Sequence, residues 1–98
     1  WALDHLRLIQ NQQDKEVLNY TGYANRKAGR VETGISYYQK ALAMDPDYVQ
    51  AREYLGEAYV LVGFTAEAKE QLHEIGKRCA PDCKAYVTLQ GFIEQYSY

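Results

Sequence analysis

The sequence of 98 residues repeats itself with a regular period, and this period constrains the fold more than any other feature. The recurring residues are small or aromatic: Tyr20, Gly22, Ala24 and Gly29 recur at Tyr54, Gly56, Ala58 and Gly63. Ala51 and Leu55 recur once more, at Ala85 and Leu89. A period of about 34 residues is typical of helical solenoids, whose hairpin units bury their apolar faces only by stacking on one another. The sequence therefore predicts a stack of helical hairpins.

The stretch from Leu18 to Pro46 resembles a tetratricopeptide repeat. Gly22 and Ala24 form the Gly-x-Ala of its first helix, and the run YYQKALAMDP, which ends at Pro46, closes its second helix. A second copy over 49–78 keeps the run YLGEAY but loses the closing Ala-Leu and Asp-Pro. The resemblance covers nearly the whole chain. It implies an all-α, right-handed superhelical stack of antiparallel helix hairpins with a C-terminal capping helix.

The order of three segments is similar to that in small exported bacterial tetratricopeptide proteins. These segments are LNYTGYANRKAG, then YYQKALAMDPDYVQAREYLGEAYVLVG, then a Cys-x-x-x-Cys stretch. This narrower resemblance implies a periplasmic or secreted interaction module, with a cytoplasmic location as the alternative. The chain begins at Trp1 rather than Met, and we interpret it as a processed or truncated product.

One domain is expected over 1–98, because a chain of this length forms a single core. We assign 1–14 to the second helix of a partial preceding unit, 15–48 to a first repeat, 49–82 to a second and 83–98 to a capping helix. Apolar periodicity and turn residues predict helices over 2–10, 16–28, 31–44, 48–62, 65–78 and 83–96. Gly29 suits the position just past a helix end, and Thr65 is predicted to cap the helix that it begins.

The composition excludes several classes of protein. Apolar residues make up 47% of the chain, which is enough for a core, and the net charge of -2 gives no basic patch for nucleic acid. No apolar run approaches the roughly 20 residues that a membrane span needs. No glycine-rich phosphate loop, HExxH helix or GxSxG elbow is present. We therefore expect no enzyme activity, no cofactor and no metal.

Glycine in the middle of a helix needs a packing reason, since it costs about 1 kcal/mol of helix propensity. Gly22 and Gly56 are predicted to let the paired helix of each hairpin approach closely. Ala41 and Ala68 are predicted to serve the same close contact from the second helices, with Gly34 as an even smaller residue.

The resemblance implies that the first helices of successive units line a concave face that receives an extended peptide. The positions carried over are Asn19, Tyr23, Arg26 and Lys27 from the first unit, Glu53, Glu57 and Val60 from the second, and Val87 and Glu94 from the cap. These residues combine an amide, an aromatic ring and both charge signs, which suits a polar peptide or protein partner. The alternative is an ordinary solvated helix face. Glu53 and Glu57 would repel a carboxylate, which argues against a site for C-terminal chaperone tails.

Cys79 and Cys83 flank a three-residue stretch that contains a proline, so two sulfurs could meet in a tight turn. Three interpretations stay open: a structural disulfide in an oxidising compartment, two free thiols, or a metal or redox role. The spacing differs from redox and haem-attachment motifs, and zinc would need two further ligands, for which only His5 and His73 are available.

Three functions follow from these observations. The first is a module that binds a peptide or protein on the concave face. The second is a structural or oligomerisation unit that self-associates through its terminal helices, because the predicted helix over 2–10 and the tyrosines at 96–98 would leave apolar ends uncovered. The third is a cytosolic scaffold with reduced cysteines.

Overall fold

The computed structural model of the chain describes residues 14–80 and 82–96, which form five α-helices. In chain order these are α1 (Lys15–Lys27), α2 (Val31–Met44), α3 (Val49–Leu61), α4 (Thr65–Arg78) and α5 (Lys84–Tyr96). Each bound lies within one residue of the predicted one, and neither described range contains a strand. The predicted all-α stack of hairpins is confirmed. The helix predicted over 2–10 lies outside the described residues, and the division of the chain into units stays a prediction.

The two hairpins turn at equivalent glycines. Gly29 follows α1 with a φ of 90°, and Gly63 follows α3 with a φ of 86°. A side chain would meet nothing at either position, so the requirement for glycine comes from the backbone, which adopts a conformation that other residues reach only with strain. The predicted turn at Gly29 is confirmed, and the repeat reproduces it in the second hairpin.

The helices begin in different ways. Asp14 caps α1, because its side chain accepts a hydrogen bond of 2.9 Å from the backbone N–H of Glu16. The predicted cap at Thr65 is wrong. The backbone N–H of Ala68 bonds to the carbonyl oxygen of Phe64 at 3.0 Å, so Thr65 is already helical. The capping position falls on Phe64, whose side chain has no acceptor.

Gly22 and Gly34 bring α1 and α2 together backbone against backbone. A Cβ atom built on Gly22 would lie 2.7 Å from Cε1 of Tyr38 and 3.0 Å from the carbonyl oxygen of Gly34. A Cβ on Gly34 would lie 2.7 Å from the carbonyl oxygen of Gly22. The prediction that these glycines permit close approach within the first hairpin is confirmed.

Gly56 has a different neighbour from the one predicted. A Cβ on Gly56 would lie 2.6 Å from Cδ2 of Leu89, which belongs to α5 rather than to the paired helix α4. The absence of a side chain at Gly56 therefore lets α5 approach α3 closely. Ala41 and Ala68 are fully buried, as expected of close contacts from the second helices.

The central helix is α3, which packs against all four other described helices. Its buried residues join three apolar clusters that run along the stack. These are Leu18, Ala41 and Ala51; Ile35, Tyr38, Leu55 and Ala58; and Val60, Ala68, Ile75, Leu89 and Ile93. The first helices α1, α3 and α5 thereby lie in succession along the molecule.

Candidate functional site

Two clefts lie side by side along the first helices. The tyrosine cleft, between α1 and the start of α3, has a volume of about 410 Å³ and is lined by Glu16, Asn19, Tyr20, Tyr23, Tyr48, Gln50 and Tyr54. The charged cleft, between α3 and α5, also has a volume of about 410 Å³ and is lined by Val49, Gln50, Glu53, Tyr54, Lys84, Ala85 and Thr88. Because Gln50 and Tyr54 line both clefts, the two form one groove.

The clefts occupy the same position in successive repeats. Glu53 is the repeat equivalent of Asn19, and Lys84 is the repeat equivalent of Gln50. The repeat therefore reproduces the place of the cleft, while the side chains that line it change. An amide in the tyrosine cleft becomes a carboxyl group in the charged cleft, and a second amide becomes an amine.

Tyrosine rings form the wall that the two helices share. The ring centroids of Tyr23 and Tyr54 lie 5.2 Å apart, and those of Tyr38 and Tyr54 lie 5.9 Å apart. The hydroxyl of Tyr54 accepts a hydrogen bond of 3.1 Å from the side chain of Gln50. These contacts fix the orientation of the rings before any ligand binds.

Asn19 lies in the wall of the tyrosine cleft and is only 5% exposed. Its Nδ2 donates a hydrogen bond of 3.3 Å to the hydroxyl of Tyr48. Its Oδ1 is buried and has no hydrogen-bond partner among the described residues. Within the described part of the chain, Oδ1 of Asn19 is therefore an unsatisfied acceptor that lies beneath the surface of the cleft.

Arg26 and Glu57 form an ion pair that joins α1 to α3. Nη1 of Arg26 lies 2.7 Å from Oε1 of Glu57, and the two side chains are 12% and 8% exposed. The guanidinium of Arg26 also lies over the rings of Tyr23 and Phe92, at 5.9 and 5.7 Å from their centroids. These two predicted site residues thus satisfy each other and hold the groove together.

Val60 belongs to the core rather than to the groove surface. It is buried and packs with Leu89 and Ile93, because α5 covers the side of α3 on which it lies. The spacing of Val60 from Glu57 and Glu53 along the sequence places all three residues on one face of the helix. Only the position of α5 removes it from the surface.

Glu53 lines the charged cleft with a perturbed carboxyl group. Burial, followed by a hydrogen bond with Glu57 and the charge of Glu57, raises the pKa of Glu53 to about 8, against the opposing influence of Lys84 and Arg26. A carboxyl group with this pKa is largely protonated at pH 7, so it can donate a hydrogen bond.

Three predicted site residues, Asn19, Tyr23 and Glu53, line the clefts. Lys27, Val87 and Glu94 are exposed but line neither cleft. The cleft residues that were not predicted from the sequence are Glu16, Tyr20, Tyr48, Val49, Gln50, Tyr54, Lys84, Ala85 and Thr88. The recurrence of Tyr20 as Tyr54 was a usable signal, since the same repeat position contributes one tyrosine to each cleft.

The sulfurs of Cys79 and Cys83 are bonded to each other in the structure. The bridge links the end of α4 to the residue before α5, within a turn where the backbone N–H of Cys83 donates to the carbonyl oxygen of Ala80 at 2.8 Å. His73 is exposed, and His5 lies outside the described residues. Over 14–80 and 82–96, no group of three or more His, Cys, Asp or Glu side chains is arranged to hold a metal ion.

None of the five described helices is long and apolar enough to cross a membrane. The model of the protein family described as "Tetratricopeptide repeat" matches residues 26–91, about two thirds of the chain. The match runs from the last two residues of α1 into α5, so it includes the helices that line the charged cleft. The α1 residues that line the tyrosine cleft precede it. No curated protein matches the chain.

Proposed function

Since the chain belongs to the tetratricopeptide repeat family, whose repeats mediate contacts between proteins, we propose that it is a non-enzymatic module that binds a peptide or protein segment. The segment lies along the groove formed by the tyrosine cleft and the charged cleft. The observation that carries this proposal is that Gln50 and Tyr54 join the two clefts into one continuous surface on the first helices.

The chemistry of the groove suits a peptide backbone. The amides of Asn19 and Gln50, the tyrosine hydroxyls and the protonated carboxyl of Glu53 offer donors and acceptors at several points along its length. An extended peptide presents a carbonyl oxygen at every residue and advances by about 3.3 Å per residue, so one segment reaches both clefts.

Catalysis is not part of the proposal. Glu53 has the perturbed pKa that often marks a catalytic acid, but the hydroxyl that lines the same cleft, on Thr88, has no hydrogen bond to a base among the described residues. Cys79 and Cys83 are bonded to each other, so neither sulfur is a free nucleophile.

A display selection tests the groove directly. Random twelve-residue peptides are selected on the full chain, and the affinities of the selected peptides are measured for the wild type, Tyr23→Ala and Phe64→Ala. Tyr23 lines the tyrosine cleft, whereas Phe64 is a half-exposed ring that lines a separate cleft of about 530 Å³ on another side of the molecule. Phe64→Ala is therefore the matched control for binding at that cleft. We expect Tyr23→Ala to weaken binding at least about tenfold, as loss of an aromatic anchor does, and Phe64→Ala to leave it unchanged.

The opposite pattern would contradict the proposal, because loss of binding in Phe64→Ala alone would locate the site on another face. Circular dichroism of each variant verifies that the helices persist. Glu57→Arg is unsuitable as a probe of binding, since it would break the ion pair with Arg26 and disturb the contact between α1 and α3.

We further propose that the module works in an oxidising compartment, the periplasm or the exterior of a cell. The support is the bond between Cys79 and Cys83, since disulfides persist in such compartments and are rare in the cytosol. Intact mass after alkylation, with and without reductant, counts the free thiols in protein from its native source. We expect no adduct before reduction and two after it, and two adducts without reductant would favour a cytosolic scaffold.

A second candidate function is self-association through the end helices. Val17 and Tyr20 on α1 are exposed, as are Val87 and Tyr96 on α5. Apolar residues at both ends of a stack can pack against another copy. Light scattering over a concentration series tests this function, and Val87→Glu should restore a monomer if α5 forms the contact. A mass of one chain at all concentrations would exclude it.

A further inference from the structure

We propose that the tyrosine cleft selects a proline-containing segment that has no acidic side chains where it meets the cleft. Such selection presupposes the groove binding proposed above and adds the chemistry of the partner. Three properties of the cleft support it: the aromatic lining, the free hydrogen-bonding capacity and the lack of an available cation among the described residues that line it.

The lining of the tyrosine cleft is dominated by four tyrosines, Tyr20, Tyr23, Tyr48 and Tyr54. Tyr20 is 71% exposed, and Tyr23 and Tyr54 are held against each other before a ligand arrives. Aromatic-lined grooves receive polyproline II segments, whose rings pack on the aromatic faces. Such a segment is extended before binding, so it loses little conformational entropy when it docks.

The hydrogen-bonding groups match the backbone of a polyproline II segment. The hydroxyls of Tyr48 and Tyr54 each accept a hydrogen bond from a side-chain amide, of Asn19 and Gln50 respectively, so both O–H groups remain able to donate. A polyproline II helix has no internal hydrogen bonds, and its carbonyl oxygens face outward to accept.

The cations near the cleft do not belong to its lining. Arg26 is paired with Glu57, and Lys15 is paired with Asp45 and lies over the ring of Tyr48. Lys27 is exposed and lies over the outer part of the cleft wall, with its Nζ 5.6 Å from the ring centroid of Tyr23. Among the described residues that line the cleft, Glu16 is the one charged residue. It lies in the first turn of α1, where an acidic side chain stabilises the helix end. Inside this lining an acidic ligand side chain would lose hydration and meet only the like charge of Glu16. A basic side chain would find carboxyl groups only at Glu16 or in the charged cleft.

Three blocked decapeptides test the selection by amide chemical-shift titration of the full chain. The first repeats Pro-Pro-Ala, the second replaces each proline by glycine or serine, and the third replaces each alanine of the first by glutamate. We expect the first peptide to shift the amides of Tyr20, Tyr23 and Tyr54 and to bind about tenfold more tightly than either of the others. Tyr20→Ala should weaken binding of the first peptide, while Phe64→Ala should not.

Each contrary result has a distinct meaning. Equal affinity for the glycine and serine peptide would overturn the selection of proline and leave groove binding intact. Equal or tighter binding of the glutamate peptide would overturn the exclusion of acidic side chains. If display-selected peptides bind in the groove while the proline peptide does not, the inference fails alone. If neither the selected peptides nor the proline peptide perturb the cleft residues, the proposed function fails with it.

Discussion

The tyrosine cleft and the charged cleft occupy the same place in successive repeats, yet one is mainly aromatic and the other carries Glu53 and Lys84. The contacts beneath them differ as well. Arg26 and Glu57 join α1 to α3 by an ion pair, whereas the repeat equivalent of Arg26 is Val60, which joins α3 to α5 through apolar packing with Leu89. The repeat therefore fixes where a junction and its cleft lie, and individual side chains decide how each is held and what it can bind.

The largest effect is expected from breaking the ion pair between Arg26 and Glu57, which leaves the apolar contact between α3 and α5 intact. Arg26→Ala should lower the free energy of unfolding by about 3 kcal/mol, because the buried carboxylate of Glu57 loses its partner. The double variant Arg26→Met with Glu57→Leu should recover most of this loss, since an apolar pair of similar size removes both charges. Urea denaturation measures both. A loss below about 1 kcal/mol for Arg26→Ala would mean that the pair does not hold α1 to α3.

A smaller effect distinguishes the two mid-helix glycines. Gly56→Leu should cost about 2 kcal/mol through overpacking against Leu89, and adding Leu89→Ala should relieve part of it, since the obstacle is a side chain. Gly22→Leu also meets the carbonyl oxygen of Gly34, so adding Tyr38→Ala should not rescue it. Thermal unfolding of the four variants makes the comparison. Equal rescue at both sites would show that the junctions do not differ in this way.

The charged cleft should make stability depend on pH. Folded Glu53 keeps its proton up to a pH of about 8, whereas its ordinary pKa is 4.5, so the folded state binds more protons between these values. The free energy of unfolding should therefore fall as the pH rises from about 5 to about 8 through the contribution of this group. Glu53→Gln should flatten that part of the profile, measured as urea midpoints at pH 5, 7 and 9. Identical slopes in the wild type and the variant would contradict the burial of Glu53.

The smallest expected effect concerns Tyr38, whose repeat equivalent in the second hairpin is Leu72. The hydroxyl of Tyr38 is buried without a hydrogen-bond partner in the described part of the chain, and burial raises its pKa. Tyr38→Phe should therefore change the free energy of unfolding by no more than about 0.5 kcal/mol, or stabilise the fold slightly. A loss above about 1.5 kcal/mol in urea denaturation would indicate a hydrogen bond that the hydroxyl makes in solution.

Much of the fold could be predicted because the repeat carries it locally. Gly29 and Gly63 mark turns through their backbone conformation, and the apolar spacing marks each helix to within a residue. The site was predicted less well because burial depends on neighbours that are distant in sequence. Arg26 and Glu57 are 31 residues apart, and one sequence does not reveal whether charged side chains on two helix faces point to solvent or to each other. Val60 shares a helix face with Glu53 and Glu57, and only the packing of α5 buries it.

A chemical-shift map of the full chain bound to a display-selected peptide tests binding along the groove most directly. We predict that the largest changes follow the groove, at the amides of Asn19, Tyr20, Tyr23, Gln50 and Tyr54. The amides of Phe64 and Glu67, which line a separate cleft, should stay unchanged. The largest changes at Phe64 and Glu67, with none along α1 and α3, would contradict the assignment of binding to the first helices.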